Sequence, residues 1–227
     1  MRLRQLFAFI AASLVATVNA QFPGMGQLSH APDIKYMPTL LMETPVQRDL
    51  GISPEVAQKA QSILLEVGMA MMPYIGNSAK GSPSPEKQKQ MTHALMHALD
   101  EMQTRTAALL TPPQRVRLHQ LTLQAEGPTA LLQPANASAV GLTPPQKTRL
   151  SQMITASSTQ AMSGMKNFDK SNPMSGFGDV MKRQKEAQAA MNSQLPHILT
   201  PSQMRKWNQM QGRKLPNLSM MPGGLGM

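Results

Sequence analysis

Apolar residues recur at spacings of three and four through most of this chain, and nowhere alternate with the period of two that a half-buried strand requires. Over residues 54–72, Val56, Ala60, Ile63, Leu64, Val67 and Met71 fall on one face, which predicts an amphipathic helix stopped by Pro73. A loop over 73–84 separates it from the longest pattern of the first half, residues 85–110, whose stripe is Met91, Leu95, Ala98, Leu99, Met102 and Leu109. The two are expected to lie antiparallel. A shorter helix over 112–125 turns Val116, Leu118, Leu121 and Ala125 inward and ends at Gly127-Pro128. The plan then returns: a helix over 144–165 with Leu150, Met153, Ile154, Ser157 and Ala161, weakened by Ser157-Ser158-Thr159; a loop over 166–178; a helix over 179–195; and a helix over 201–214 with Met204, Trp207 and Met210 inward. Residues 40–50 read as an irregular helical turn and 129–140 as a joining segment. The expected class is all-α, with long antiparallel helices.

Four of the expected helix starts carry the same short pattern. Leu110-Thr111-Pro112-Pro113-Gln114 recurs as Leu142 to Gln146 and as Leu199 to Gln203, with a degraded copy at Ile52-Ser53-Pro54-Glu55-Val56. Thr111, Thr143 and Thr200 are placed to cap, proline takes the first helical position where no amide hydrogen is missed, and Gln114, Gln146 and Gln203 can reach back to the cap amide. The caps fall at 53, 111, 143 and 200, an order long, short, long that marks a tandem duplication offset by 89 to 90 residues. Leu41 and Leu131, and Leu50-Gly51-Ile52-Ser53-Pro54 and Val140-Gly141-Leu142-Thr143-Pro144, agree at that offset. Two helical-hairpin repeats are expected, residues 40–129 and 130–215.

Composition adds a compartment. Residues 1–20 pair Arg2 and Arg4 with an apolar run and a Val18-Asn19-Ala20 ending, the form of a secretory signal. A flexible arm is then expected at 21–39 and a disordered tail at 216–227. Cleavage leaves 20 basic against 12 acidic residues, +8 with neutral histidine. That excess attracts acidic partners at long range and weakens with salt. The basic residues are scattered and poorly mixed with aromatics, which argues against nucleic acid as the partner. No later stretch is long and apolar enough to insert in a membrane, and the absence of Cys removes disulfides and thiol chemistry. Met is unusually frequent, 21 of 227, a flexible side chain suited to adaptable contacts.

Candidate chemistry is sparse. On a helix His93, His97 and Glu101 stand four apart, a spacing that offers two imidazoles and a carboxylate to Zn²⁺; a solvated polar face explains them equally. The second half has Lys182 and Glu186, or Arg183 and Ala187, at the corresponding positions, so the pair was not kept. Met69-Ala70-Met71-Met72, Met162-Ser163-Gly164-Met165 and Met220-Met221 could hold Cu(I), or could be core and adaptable surface. Asn136-Ala137-Ser138 matches a glycosylation acceptor, a motif that arises often by chance. No nucleophile, phosphate loop or paired carboxylates suggest catalysis. No metal ligand, catalytic residue or cofactor is assigned.

The repeated Leu-Thr-x-x-Gln, carried by Leu110, Thr111 and Gln114, Leu142, Thr143 and Gln146, and Leu199, Thr200 and Gln203, resembles the LTXXQ-motif family of Spy- and CpxP-type periplasmic chaperones of bacteria. The resemblance covers residues 40–214. It implies an all-helical curved hairpin that dimerises into a cradle and binds partly unfolded proteins without ATP. Four motif copies, where a family member usually has two, make either a homodimer or an intrachain pseudo-dimer conceivable. The expectation is an exported, periplasmic, ATP-independent chaperone that is not an enzyme. Two alternatives stand beside it: a Zn- or Cu-binding envelope-stress or metal-resistance accessory protein, and a structural helical interaction module.

Overall fold

Proline decides where this chain starts a helix. The computed structural model describes residues 35–76, 84–163, 173–216 and 218. Its helices are α1 (Thr44–Leu50), α2 (Pro54–Gly76), α3 (Pro85–Ala108), α4 (Pro112–Glu126), α5 (Pro134–Val140), α6 (Pro144–Ser163), α7 (Pro173–Ile198) and α8 (Pro201–Gln211). All but α1 open on proline, and α1 has Pro45 in its first turn. At that position the ring presets φ and forfeits no hydrogen bond. Glycine does much of the stopping: Gly51, Gly127, Gly141 and Gly212 take positive φ directly after α1, α4, α5 and α8. Two 3-10 turns, Pro38–Met42 and Gly127–Leu132, complete an all-helical chain with no strand among the described residues. The expected signal at 1–20, most of the arm at 21–39, parts of both hairpin loops and the tail beyond residue 218 lie outside the described residues.

Several boundaries differ from the sequence reading, each for a local reason. α2 runs through Pro73 to Gly76 and α7 through Pro196 to Ile198. A proline so near a helix end removes only one backbone bond, and the Leu199 amide still donates to the Leu195 carbonyl at 2.8 Å. α7 also starts at Pro173 rather than 179, again on a proline. α3 closes at Ala108, where the Leu109 and Leu110 amides shorten to the carbonyls of Thr106 and Ala107. α8 stops at Gln211 instead of 214 because Gly212 leaves helical φ. Residues 40–50 are not irregular but a 3-10 turn followed by a seven-residue helix, and the joining segment 129–140 has the same form.

Two compact units divide the chain within α4, between Thr122 and Leu123, and again between Gly212 and Arg213. The first holds the turn Pro38–Met42, α1, the α2–α3 hairpin, the first part of α4 and the segment from Arg213 onward. Its buried apolar residues are Leu40, Leu41, Val46 and Leu50, then Ala60, Ile63, Leu64 and Val67 of α2, with Leu110, Leu118 and Leu121. Val116 is 61% exposed, contrary to the expected inward face. Leu118, Leu121 and Thr122 define that face, and Val116 lies about 200° round the helix from Leu118. Polar groups tie the entering segment of chain: the Tyr36 amide donates to Gln103 Oε1 at 3.0 Å, the Met37 amide to Thr122 Oγ1 at 2.8 Å, and His119 Nδ1 donates to the Lys35 carbonyl at 2.7 Å.

The second unit, Leu123 to Gly212, packs one continuous core. Leu123, Ala130, Leu131, Ala137, Val140 and Leu142 meet Leu150 and Met153 of α6, Met191 and Leu195 of α7, Leu199, and Trp207 of α8. Amide and hydroxyl side chains finish the end of α4, whose last four carbonyls have no helical donor. Gln211 Nε2 reaches the Leu123 carbonyl, Gln188 Nε2 those of Gln124 and Ala125, and Thr129 Oγ1 that of Glu126. Asn136 is buried and donates to the Ala130 carbonyl and Gln133 Oε1. An acceptor so enclosed is closed to glycosylation in the folded chain.

Candidate functional site

The motif glutamines do more than cap. Gln146 Oε1 accepts from the Thr143 amide at 3.0 Å, and Gln203 Oε1 from the Thr200 amide at 2.9 Å. Their Nε2 groups turn outward from their own helices. Gln146 Nε2 donates to the Ile198 carbonyl at 2.8 Å, and Gln203 Nε2 to the Gly141 carbonyl at 2.7 Å. The two amides also bond one another reciprocally, at 2.7 and 3.0 Å. Each carboxamide therefore ties the start of its helix to the chain entering the other. Only Thr200 completes a capping box, its hydroxyl accepting from the Gln203 amide; the Thr143 hydroxyl donates to Gln146 Oε1 instead. Leu142 and Leu199, which open the two motifs, are buried beneath them.

In the first unit the arrangement is half present. Gln114 Oε1 accepts from the Thr111 amide at 2.9 Å, and its Nε2 donates to the Leu50 carbonyl at 3.1 Å. Leu110 is buried there too. Ser53 Oγ accepts from the Val56 amide at 3.3 Å, but the Val56 side chain has no carboxamide to pair with Gln114. The sequence pattern pointed to these residues as caps. What it did not reveal was the far end of each glutamine, since that end bonds residues more than 50 positions away. These bonds satisfy the glutamines completely in the second unit, so the motif is scaffold rather than binding site.

Among the described residues, an incompletely covered apolar surface lies instead on the α2–α3 hairpin. α3 turns Ala94, Leu95, Ala98, Leu99 and Met102 along one side, yet all are only half-buried; Thr106, farther along, is the one fully covered residue on that helix among the described ones. Met96 is half-exposed beside them, and on α2 Met69 is 64% exposed. Among the described side chains the buried positions end at Val67 on α2 and begin only at Thr106 on α3, so coverage is lower toward the hairpin loop. Arg105 bridges the pair, donating to Glu66 Oε2 at 2.6 Å and to Glu101 Oε1 at 3.0 Å. The hydrogen bond from Arg105, with its charge, holds the Glu66 carboxyl below its ordinary range, and the two carboxylates raise the Arg105 guanidinium. On the outer side of α2, a hydrogen bond and the charge of Lys59 likewise lower Glu55.

The metal candidates do not converge. His93 and His97 are exposed on α3, while Glu101 is engaged by Arg105. Among the described residues no three histidine or carboxylate groups come within reach of one ion. A shallow depression along α3 is lined by Glu86, Lys89, Gln90, His93 and Ala94, described residues of the same helix. Of the methionine clusters only the Met69 side chain lies among those described. Trp207 is buried in the second core. No described helix is long and apolar enough to cross a membrane. Comparison with known proteins supplies no relative: no protein-family model, no curated protein and no solved structure matches this chain.

Proposed function

We propose that this chain is an exported, periplasmic, ATP-independent chaperone-like binding protein, built from two tandem helical-hairpin repeats and without enzymatic activity. The observation that carries the reading is the half-covered stripe Leu95, Leu99 and Met102 on α3 with exposed Met69 on α2. A helix whose only task is to pack would bury that stripe. Its occupant is an extended apolar segment of a partly unfolded protein. Methionine adapts to varied side chains, and the net positive charge draws in acidic clients before contact. The recurrence of LTxxQ and the signal-like residues 1–20 support the same reading, and the matching series of 3-10 turn, seven-residue helix, left-handed glycine and long helix supports duplication.

The test is aggregation of a chemically unfolded substrate with the purified chain at near-equal ratio, without ATP. Suppression is expected, weaker at high salt, and reduced several-fold by Leu95→Asn with Leu99→Asn at unchanged helicity, since neither side chain is fully buried. No suppression at any ratio would sink the proposal.

A further inference from the structure

The motif copies supply a comparison of charges. At the offset of 89 to 90 residues that relates them, Lys59 and Arg117 of the first unit correspond to Arg149 and Lys206 of the second. Each stands three residues after a motif position: Lys59 after Val56, Arg117 after Gln114, Arg149 after Gln146 and Lys206 after Gln203. In the first unit both cations are paired, Lys59 with Glu55 at 2.8 Å and Arg117 with Asp49 at 2.6 Å. The residues corresponding to those carboxylates are Pro145 and Ala139. The second unit keeps the bases and has lost both acids. It also has Lys147 where the first has Ala57, and Arg205 where the first has Val116. Lys147, Arg149, Arg205 and Lys206 are all exposed, and none makes an ion pair among the described residues. α5, α6 and α8 contain no Asp or Glu. The Gln146–Gln203 bonds bring the starts of α6 and α8 together, so four cations within the first two turns of these helices surround one end of the unit. Their mutual repulsion works against folding, and no carboxylate among the described residues offsets it.

We infer that this end of the second unit is a peripheral docking surface for an anionic lipid bilayer, attached through the phosphates of its headgroups. Lys147 and Arg149 leave α6 about 200° apart, and Arg205 leaves α8 about 200° from the buried Trp207. The charges fan outward instead of converging, which suits many phosphates spread over a plane better than one compact anion or a single extended chain. Nucleic acid is a poorer fit, because the only aromatic residue of α5, α6 and α8 is Trp207, which is buried and cannot stack on a base. Attachment is electrostatic and needs no insertion, each Lys or Arg near an anionic surface strengthening it about fivefold. This surface is separate from the α3 stripe, and the inference does not rest on the chaperone-like reading.

The experiment sediments the full purified chain with vesicles of phosphatidylglycerol and phosphatidylcholine in equal parts, and with vesicles of phosphatidylcholine alone. Binding to the anionic vesicles is expected, falling as salt rises, with little binding to the neutral ones. Lys147→Gln/Arg149→Gln/Arg205→Gln/Lys206→Gln should weaken it at least about tenfold at unchanged helicity, since all four side chains are exposed. Lys35→Gln/Arg48→Gln/Lys59→Gln/Lys89→Gln removes the same charge from exposed positions of the first unit and should weaken it less than about threefold. A further variant, Ala139→Asp/Pro145→Glu, restores the carboxylate positions of the first unit while keeping all four cations. Because α5 packs against α8 and residue 139 is exposed, it should fold and bind anionic vesicles several-fold more weakly. Equal losses in the two quadruple variants, or no preference for anionic over neutral vesicles, would overturn the inference. So would full displacement by millimolar inorganic phosphate at matched ionic strength, which would make this a site for a compact anion. Polyglutamate binding that needs the same four cations, without vesicle binding, would assign the surface to an acidic polypeptide and overturn the lipid.

Discussion

Gln146 and Gln203 use every hydrogen of their carboxamides, and both oxygens accept at least two bonds. Removing one of them strips one N–H of its neighbour's carboxamide and one backbone carbonyl of their partners, in a site where Gln203 is buried. That penalty exceeds the ordinary worth of a hydrogen bond. Gln146→Ala and Gln203→Ala are each expected to cost about 2 kcal/mol, and the double variant less than the sum, because the second substitution removes a group already stranded by the first. Gln114→Ala, with no glutamine opposite, should cost about 1 kcal/mol. Urea denaturation of the four chains measures this. Strictly additive losses would show that the reciprocal pair contributes nothing.

Among the elements, the turns after α1 and α4 separate two causes of glycine preference. Gly51 has φ +60° and open space where a Cβ would stand, whereas Gly127 has φ +58° and would place a Cβ 2.6 Å from Gln188 Nε2. Gly51→Ala incurs only the strain of the left-handed backbone, about 1 kcal/mol. Gly127→Ala adds the displacement of Gln188 from the α4 carbonyls and is expected to cost about 1 kcal/mol more. Equal losses in thermal unfolding would mean that Gln188 moves aside freely. The α2–α3 hairpin carries a pH dependence of known sign. Glu66 is lowered from its ordinary value of 4.5 by the Arg105 hydrogen bond and charge, so its contribution is present above pH 4.5 and is lost as pH falls through the lower folded value. The pair is solvent-exposed and its effect small. Glu66→Gln should flatten that acid limb of the stability curve, while an unchanged limb would assign it elsewhere.

On the scale of the whole molecule, the first unit is assembled from distant parts of the chain. Arg213, which follows α8, pairs with Asp49 of α1, and Arg117 of α4 donates to the other Asp49 oxygen at 2.6 Å. Asp49 is nearly covered and Arg117 is 15% exposed, whereas Arg213 is 76% exposed. Exposure decides which link matters. Arg213→Ala should cost well under 1 kcal/mol, and Asp49→Asn about 2 kcal/mol, because it leaves the covered Arg117 charge without its counter-ion. Chemical denaturation followed by helical circular dichroism distinguishes them; a larger loss for Arg213→Ala would reverse the ranking.

Helix positions and starts were legible because their causes are local. A period of 3.6, a proline at the first position and a glycine at the end act within a few residues, so the all-helical class and the opening residues of α2, α3, α4, α6 and α8 could be read directly from the chain. Local cues misjudged the face that packing selects, as when Val116 is exposed to solvent. They were silent wherever a bond joins distant positions. Gln146 meets Gln203 across 57 residues, and Asp49 meets Arg213 across 164. The half-covered stripe on α3 belongs to the same category, since spacing shows that Leu95, Leu99 and Met102 share a face but cannot show how much of it a neighbour covers. The sequence by itself determined which segments are helical and which side chains share a stripe. Only the tertiary structure decided which stripes are closed, because burial depends on what the rest of the chain brings against them.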